Sequence, residues 1–132
     1  MKEVYDFLKE AETYYLATVD GNQPRVRPFG TTDIFEDKLY IQTGKSKDVS
    51  KQIQANPNVE LCCFDGATGR WLRLEGELVR DERREAKADM LSHYPELGAM
   101  YSADDDNTEV LYFKDAEAVF SSFAAAPRTV RF

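Results

Sequence analysis

"TYYLATVDGNQPRVRPFGTTDI", residues 13–34, sets β-branched and aromatic residues on both sides of Asp20-Gly21-Asn22. An Asp-Gly pair between two such runs is a strong hairpin signal, because glycine tolerates the positive φ that the turn requires. The stretch predicts one strand over 13–19 and a second over roughly 24–34. Arg25 and Arg27 stand two residues apart in the second strand, so both point to one face of the sheet. Pro28 follows directly and removes a backbone donor, which marks an edge or a bulge.

Outward from the hairpin, "FEDK" (35–38) predicts a turn into a strand over 38–44. That strand is expected to pair with 24–34, which would bring Arg27 near the corner at 43–47. "SKDVSKQIQANP" (46–57) then switches to helical spacing, with Val49, Ile53 and Gln52 on one face, Ser46 as N-cap and Pro57 as stop. Two strands follow over 58–65 and 70–80, around "GATG". Gly76 inside the second indicates a bulge or close packing. Residues 2–12 form an amphipathic helix carrying Val4, Phe7, Leu8 and Ala11, and 81–95 a second one with Glu85, Ala88 and Leu91 near one side. Residues 96–101 are read as a turn, 104–109 as a loop, and "VLYFKD" with "AEAVFSSF" as two closing strands.

Six or seven strands in mostly hairpin order, with few helices, point to a mainly β fold, an antiparallel barrel. Strands and helices do not alternate, which disfavours a parallel sheet. The 132 residues suit a single domain over 1–132. With 42% hydrophobic and 31% charged residues the chain has an ordinary globular composition. The acidic, broken N-terminal stretch is not a secretory signal, and no apolar run is long enough to span a membrane, so a cytoplasmic location is expected. A formal net charge of −7 argues against nucleic acid and anionic membranes as partners.

That acidity makes the local basic residues informative. Lys45, Ser46 and Lys47 lie where a strand passes into a helix, and Lys51 follows Lys47 by one helical turn. A helix N-terminus offers unpaired N–H groups and a positive dipole end, so this corner is competent to hold a phosphate. Arg27 would add a bidentate clamp from the neighbouring strand. The competing reading is a set of scattered solubilising charges. "TGKSKD" lacks the upstream glycine of a P-loop. His93 is the only histidine and has no serine elbow or cysteine partner, so it is read as structural or solvent-exposed. One histidine and no spaced cysteines argue against a zinc site, and no metal is expected. Asp104–Asp106 lacks the glycine and terminal glutamate of an EF-hand and is read as a solvated loop. Cys62 and Cys63 are adjacent and point to opposite faces, which suits reduced thiols.

The succession "RVRPFGTTDIFEDKLYIQTGKSKDVSKQIQANPNVEL", then "RWLRLEGELVRD", resembles the pyridoxamine 5'-phosphate oxidase-like family of FMN-binding split barrels, from about residue 10 to 123. The resemblance implies a homodimer with FMN in a cleft between subunits. It implies that Arg27, Pro28, Phe29 and Gly30 line the flavin, with Arg27 at the phosphate, and that Thr43 approaches the ring or ribityl chain. Lys45, Ser46, Lys47 and Lys51 would share the phosphate, Lys47 foremost. Trp71 would stack near the isoalloxazine or else serve as a core or interface tryptophan, and Arg73, on the same strand face, would meet the flavin or an acidic neighbour. The implied activity is that of an oxidoreductase working on an unidentified small molecule by flavin-mediated hydride or electron transfer. The alternative is a non-catalytic flavin or haem protein that senses or stores its cofactor. The chain ends "AAAPRTVRF" rather than in the Arg-Leu-x-Pro-type segment of the vitamin oxidases, so vitamin B6 oxidation is not expected. The chain looks closer to the compact bacterial branch that includes general-stress and nitroimidazole-resistance proteins.

Overall fold

The computed structural model describes residues Met1–Phe132. The opening hairpin forms as expected: β1 (Tyr14–Asp20) and β2 (Gln23–Phe29) pair from Tyr14↔Phe29 to Asp20↔Gln23. Gly21 takes the left-handed φ of 64° that closes the turn. Tyr14, Leu16 and Thr18 point inward and are buried, while Tyr15 stands outside.

The second strand is shorter than expected. It ends at Phe29, and the chain re-forms a three-residue β3 (Asp33–Phe35) before β4 (Lys38–Gly44). The β3–β4 turn places Glu36 and Asp37 both at positive φ. Only β3 pairs with the first part of β4, so the expected hairpin between 24–34 and 38–44 is confined to residues 33–40. A sheet accepts proline only where no ladder donor is needed, so Pro24 and Pro28 leave β2 as an outer edge. Its neighbour is β1 alone.

The sheet continues through β5 (Asn58–Asp65), β6 (Arg70–Asp81) and β7 (Thr108–Ser122), in the order β2-β1-β5-β6-β7-β4-β3. Each pairing is antiparallel. The two closing strands expected over 110–123 are one long strand. Asp115, at φ 53°, is the extra residue of a bulge opposite Gly76, so the strand bends without ending. A Cβ on Gly76 would lie 3.1 Å from the Lys114 carbonyl oxygen, which explains the glycine by close backbone approach. Beyond the expected closing strands the chain forms β8 (Arg128–Arg131) on β7. Eight strands result where six or seven were expected.

Three α-helices complete the fold: α1 (Lys2–Ala11), α2 (Asp48–Ala55) and α3 (Arg84–Ser92), with a 3₁₀ turn over Pro95–Ala99. Val4 and Leu8 of α1 and Val49 and Ile53 of α2 enter the main core with Leu16, Leu61, Leu72 and Leu74. Each such side chain contributes about 1.5–3 kcal/mol by leaving water. Ser46 does not cap α2. Lys47 occupies the cap position without a side-chain bond, and the Ser46 N–H instead donates to Asn107 Oδ1 at 3.0 Å. In α3 the buried face is Ala86, Lys87 and Met90 rather than Glu85, Ala88 and Leu91. Ala86 and Met90 pack on Tyr40 and Val110, a pairing that the weakly apolar helix does not itself announce. No helix is long and apolar enough to cross a membrane.

Candidate functional site

Between the β1–β2 hairpin and α2 lies a cleft of about 790 Å³, lined by Arg25, Arg27, Lys47, Lys51 and Gln52 among others. A second chamber of about 290 Å³ shares Arg27, Lys47 and Val49 with it. Pro28, Phe29, Gly30 and Thr43 line this inner chamber, together with Leu97, Met100 and Tyr101 from beyond α3. Direct pairing of β2 with β4 does not bring these residues together. The linker 30–32 does so, because Thr31 Oγ1 accepts the Gln42 N–H at 3.1 Å and carries the end of β2 past β4. Tyr14 supports the linker from below, donating its hydroxyl to the Thr31 carbonyl at 2.6 Å.

Arg27 is positioned by its neighbours. Its Nη1 donates to the Leu16 carbonyl at 3.1 Å and to Thr18 Oγ1 at 2.8 Å, and its Nη2 to Gln52 Oε1 at 2.6 Å. Thr18 Oγ1 also donates to Gln52 Oε1 at 2.6 Å, which closes a three-residue network joining β1, β2 and α2. A guanidinium has five N–H donors, so two of Arg27's remain for a ligand. Burial, and secondarily the like charge of Arg25, lowers its pKa, but the group stays cationic. Arg25 is partly neutralised by Asp20 at 3.3 Å.

The lysines divide by their partners. Lys45 donates to Glu82 Oε2 at 2.9 Å and lines neither chamber. Lys47 and Lys51 make no ion pair and face the outer cleft from the first turns of α2, with the acidic Asp48 beside them. Trp71 lies outside both chambers. It packs on the exposed Phe123 at a ring separation of 5.1 Å and stands opposite Phe64 in the β5–β6 ladder. Arg73 sits on the same outer surface, 3.8 Å from Glu60. Sequence reasoning missed Thr18, Gln52, Gln42 and the Leu97–Tyr101 wall. Gln52 was legible only as a member of the α2 face, since its bond to Arg27 spans 25 residues.

Other polar candidates have local explanations. Asp105 accepts the N–H groups of Ser102, Asn107 and Thr108, so it shapes its own loop. Cys63 is buried, which pushes its thiol up to about 12, and Cys62 is exposed on the opposite face. Glu109, fully buried on β7, is held by the Arg80 guanidinium, which also donates to Ser50 Oγ at 3.3 Å. His93 lines neither chamber and lies beside Asp33. Burial, with the adjacent Asp89 carboxylate, raises the Asp33 carboxyl well above the usual carboxylate range.

A family model described as pyridoxamine 5'-phosphate oxidase matches residues 1–126. Among solved structures, a NimC/NimA family protein from Clostridium acetobutylicum is 44% identical, with a TM-score of 0.96 over 100% of this chain and 92% of its own. A pyridoxamine 5'-phosphate oxidase-related, FMN binding protein from Nostoc punctiforme is 15% identical, with a TM-score of 0.65 over 99% of this chain and 95% of its own. A heme binding protein from Mycobacterium smegmatis is 13% identical, with a TM-score of 0.73 over 94% of this chain and 57% of its own. The last two similarities concern the fold alone. No curated protein matches the sequence.

Proposed function

Because the chain belongs to the pyridoxamine 5'-phosphate oxidase family, we propose that it binds FMN in the cleft between the β1–β2 hairpin and α2 and works as an oxidoreductase on a small molecule. The observation that carries this reading is the outer cleft itself. Arg27 keeps two unspent donors there, and Lys47 and Lys51 stand beside it without ion-pair partners. A phosphate is a dianionic acceptor that suits one fork and two point charges. The inner chamber, walled by Phe29, Thr43 and Tyr101, suits the ring and ribityl chain. FMN supplies one- and two-electron redox chemistry when bound. The chain's own residues anchor the phosphate, orient the ring and set which small molecules reach it.

The proposed unit is a homodimer. Tyr15, Val26, Phe64 and Phe123 are large apolar side chains left exposed, with Trp71 beside the last two. Burying them against a second copy accounts for their exposure, and Trp71 would reach a flavin only across that boundary. Haem is the weaker cofactor, since no histidine lines the cleft. Vitamin B6 oxidation is also not favoured. Arg128 and Arg131 near the C-terminus are engaged with Glu3 and Glu117.

The test is a visible spectrum with sedimentation. Flavin bands near roughly 370 and 450 nm are expected, on a particle of dimer mass, and anaerobic NADH or NADPH should bleach them. A protein that stays colourless after incubation with FMN refutes the cofactor assignment. A flavin-loaded monomer refutes the intersubunit placement.

A further inference from the structure

On the far side of the inner wall, three ligand-type side chains converge that the cleft does not use. Asp89 of α3 and His93 just beyond its last residue are one helical turn apart, and Asp33 of β3 faces them. His93 Nε2 lies 3.3 Å from Asp33 Oδ1 and 3.8 Å from Asp89 Oδ2. One donor atom from each residue lies within 4.8 Å of the other two. The Asp33 side chain is only 3% exposed, and its Oδ2 is sealed from water without a hydrogen-bond partner.

No lysine or arginine nitrogen comes within ion-pair distance of Asp33 or Asp89. Lys9 of α1 comes into this region, but its ammonium donates to the Tyr94 hydroxyl at 3.2 Å and sits 4.5 Å from the Tyr94 ring centre. The fold has therefore brought two carboxylates and one imidazole together with no lysine or arginine among them. A buried carboxylate oxygen left without a donor is costly in its charged form, and a proton or a bound cation relieves that cost.

We propose that Asp33, Asp89 and His93 form a binding site for one divalent first-row transition cation. The charge balances, two carboxylates against one divalent ion. Mixed imidazole and carboxylate donors suit Zn²⁺ or Mn²⁺ over Mg²⁺ and Ca²⁺, which prefer all-oxygen shells. Ligand atoms bonded at about 2.0–2.2 Å around a tetrahedral or octahedral centre lie about 3–3.5 Å apart, so the 3.3 Å between His93 and Asp33 already fits and Asp89, 3.8 Å from His93, has to draw closer. Two ligands at i and i+4 on a helix also present themselves to one ion. Asp89 and His93 are partly exposed, which gives the ion an entry path and leaves positions for water.

The ion would tie α3 to β3 next to a contact that already exists. Tyr94 donates its hydroxyl to the Thr32 carbonyl at 3.1 Å and accepts the Thr32 N–H at 2.9 Å. Leu97, Met100 and Tyr101 follow directly and line the inner chamber, so the ion braces that wall. This site stands independently of what the cleft binds.

The test uses the untagged full chain after EDTA dialysis, titrated with Zn²⁺, Mn²⁺, Mg²⁺ and Ca²⁺ by calorimetry and followed by thermal unfolding. One Zn²⁺ or Mn²⁺ per chain is expected, with a raised unfolding midpoint and weaker binding of the other two. Asp89→Asn and His93→Ala, both at partly exposed positions that spare the core, should each weaken binding about 100-fold or more. Absence of stoichiometric binding by either transition ion overturns the site. So does affinity unchanged in both variants, or binding of Mg²⁺ or Ca²⁺ as tight as that of Zn²⁺.

Discussion

Replacing Arg27 by alanine separates a phosphate anchor from a structural arginine, because the side chain does two jobs with different donors. Three of its five N–H groups are spent on Leu16, Thr18 and Gln52. The other two make no bond within the chain, and the side chain lines the cleft. A hydrogen bond to a charged group is worth about 1.5–3 kcal/mol, so losing one such bond to a phosphate weakens FMN by about 10- to 150-fold. The structural loss acts on any flavin equally and cancels when FMN is compared with riboflavin on the same variant. Riboflavin, which lacks the phosphate, should change by less than about fivefold, or roughly 1 kcal/mol. The assay is quenching of flavin fluorescence in parallel titrations of the apo-protein at fixed ionic strength. Arg27→Lys should fall between, since it keeps the charge and loses the fork. Lys45→Ala should leave both ligands unchanged, because Lys45 is committed to Glu82. Equal weakening of FMN and riboflavin by Arg27→Ala refutes the anchor, and a larger FMN-specific loss from Lys45→Ala refutes the division of the lysines.

Two further expectations concern stability. Gly76→Ala places a methyl 3.1 Å from the Lys114 carbonyl and 3.3 Å from Ala116 Cα, both backbone, so it should cost about 1–3 kcal/mol in urea unfolding; a neutral result would show that the β6–β7 bulge is soft. Asp81 is held at about 2, chiefly by hydrogen bonds from Arg83 and in part by the Tyr40 hydroxyl. Its native pKa lies below the unfolded one, so the stabilisation is fully present above pH ~4 and is lost as pH falls toward 2. Because Arg83 is partly exposed, about 1–2 kcal/mol is expected. Asp81→Asn should lose that part of the acid dependence between pH 5 and 2, and an unchanged profile would contradict the pairing.

The opening hairpin was legible because everything that makes it is local. The Asp20-Gly21 turn, the alternation through Tyr14, Leu16 and Thr18, and two arginines on one strand face all lie between residues 14 and 27. Gly76 was legible for a related reason: a glycine inside a β-branched and leucine-rich run has few explanations other than backbone approach. The strand partners were not legible. Alternation tells which face a residue takes but not which strand lies beside it, and β4 took β7 where β2 was expected. A residue at positive φ, Asp115, turned an expected break into a bulge.

The candidate site follows the same division. Residue types and their order are written in the chain: Arg27 before Pro28, the lysines at the start of a helix, a single histidine on a late helix. Which cations remain free was decided by tertiary structure, because Glu82 reaches Lys45 from 37 residues away and nothing equivalent reaches Lys47 or Lys51. Gln52 and Thr18 became Arg27's supports only when α2 docked on β1. Asp33 met Asp89 and His93 only when α3 packed against β3. Local spacing encodes faces and turns, through steric and hydrogen-bonding preferences a few residues long. Charge pairing and ligand convergence depend on distances through space, which only the packed chain sets.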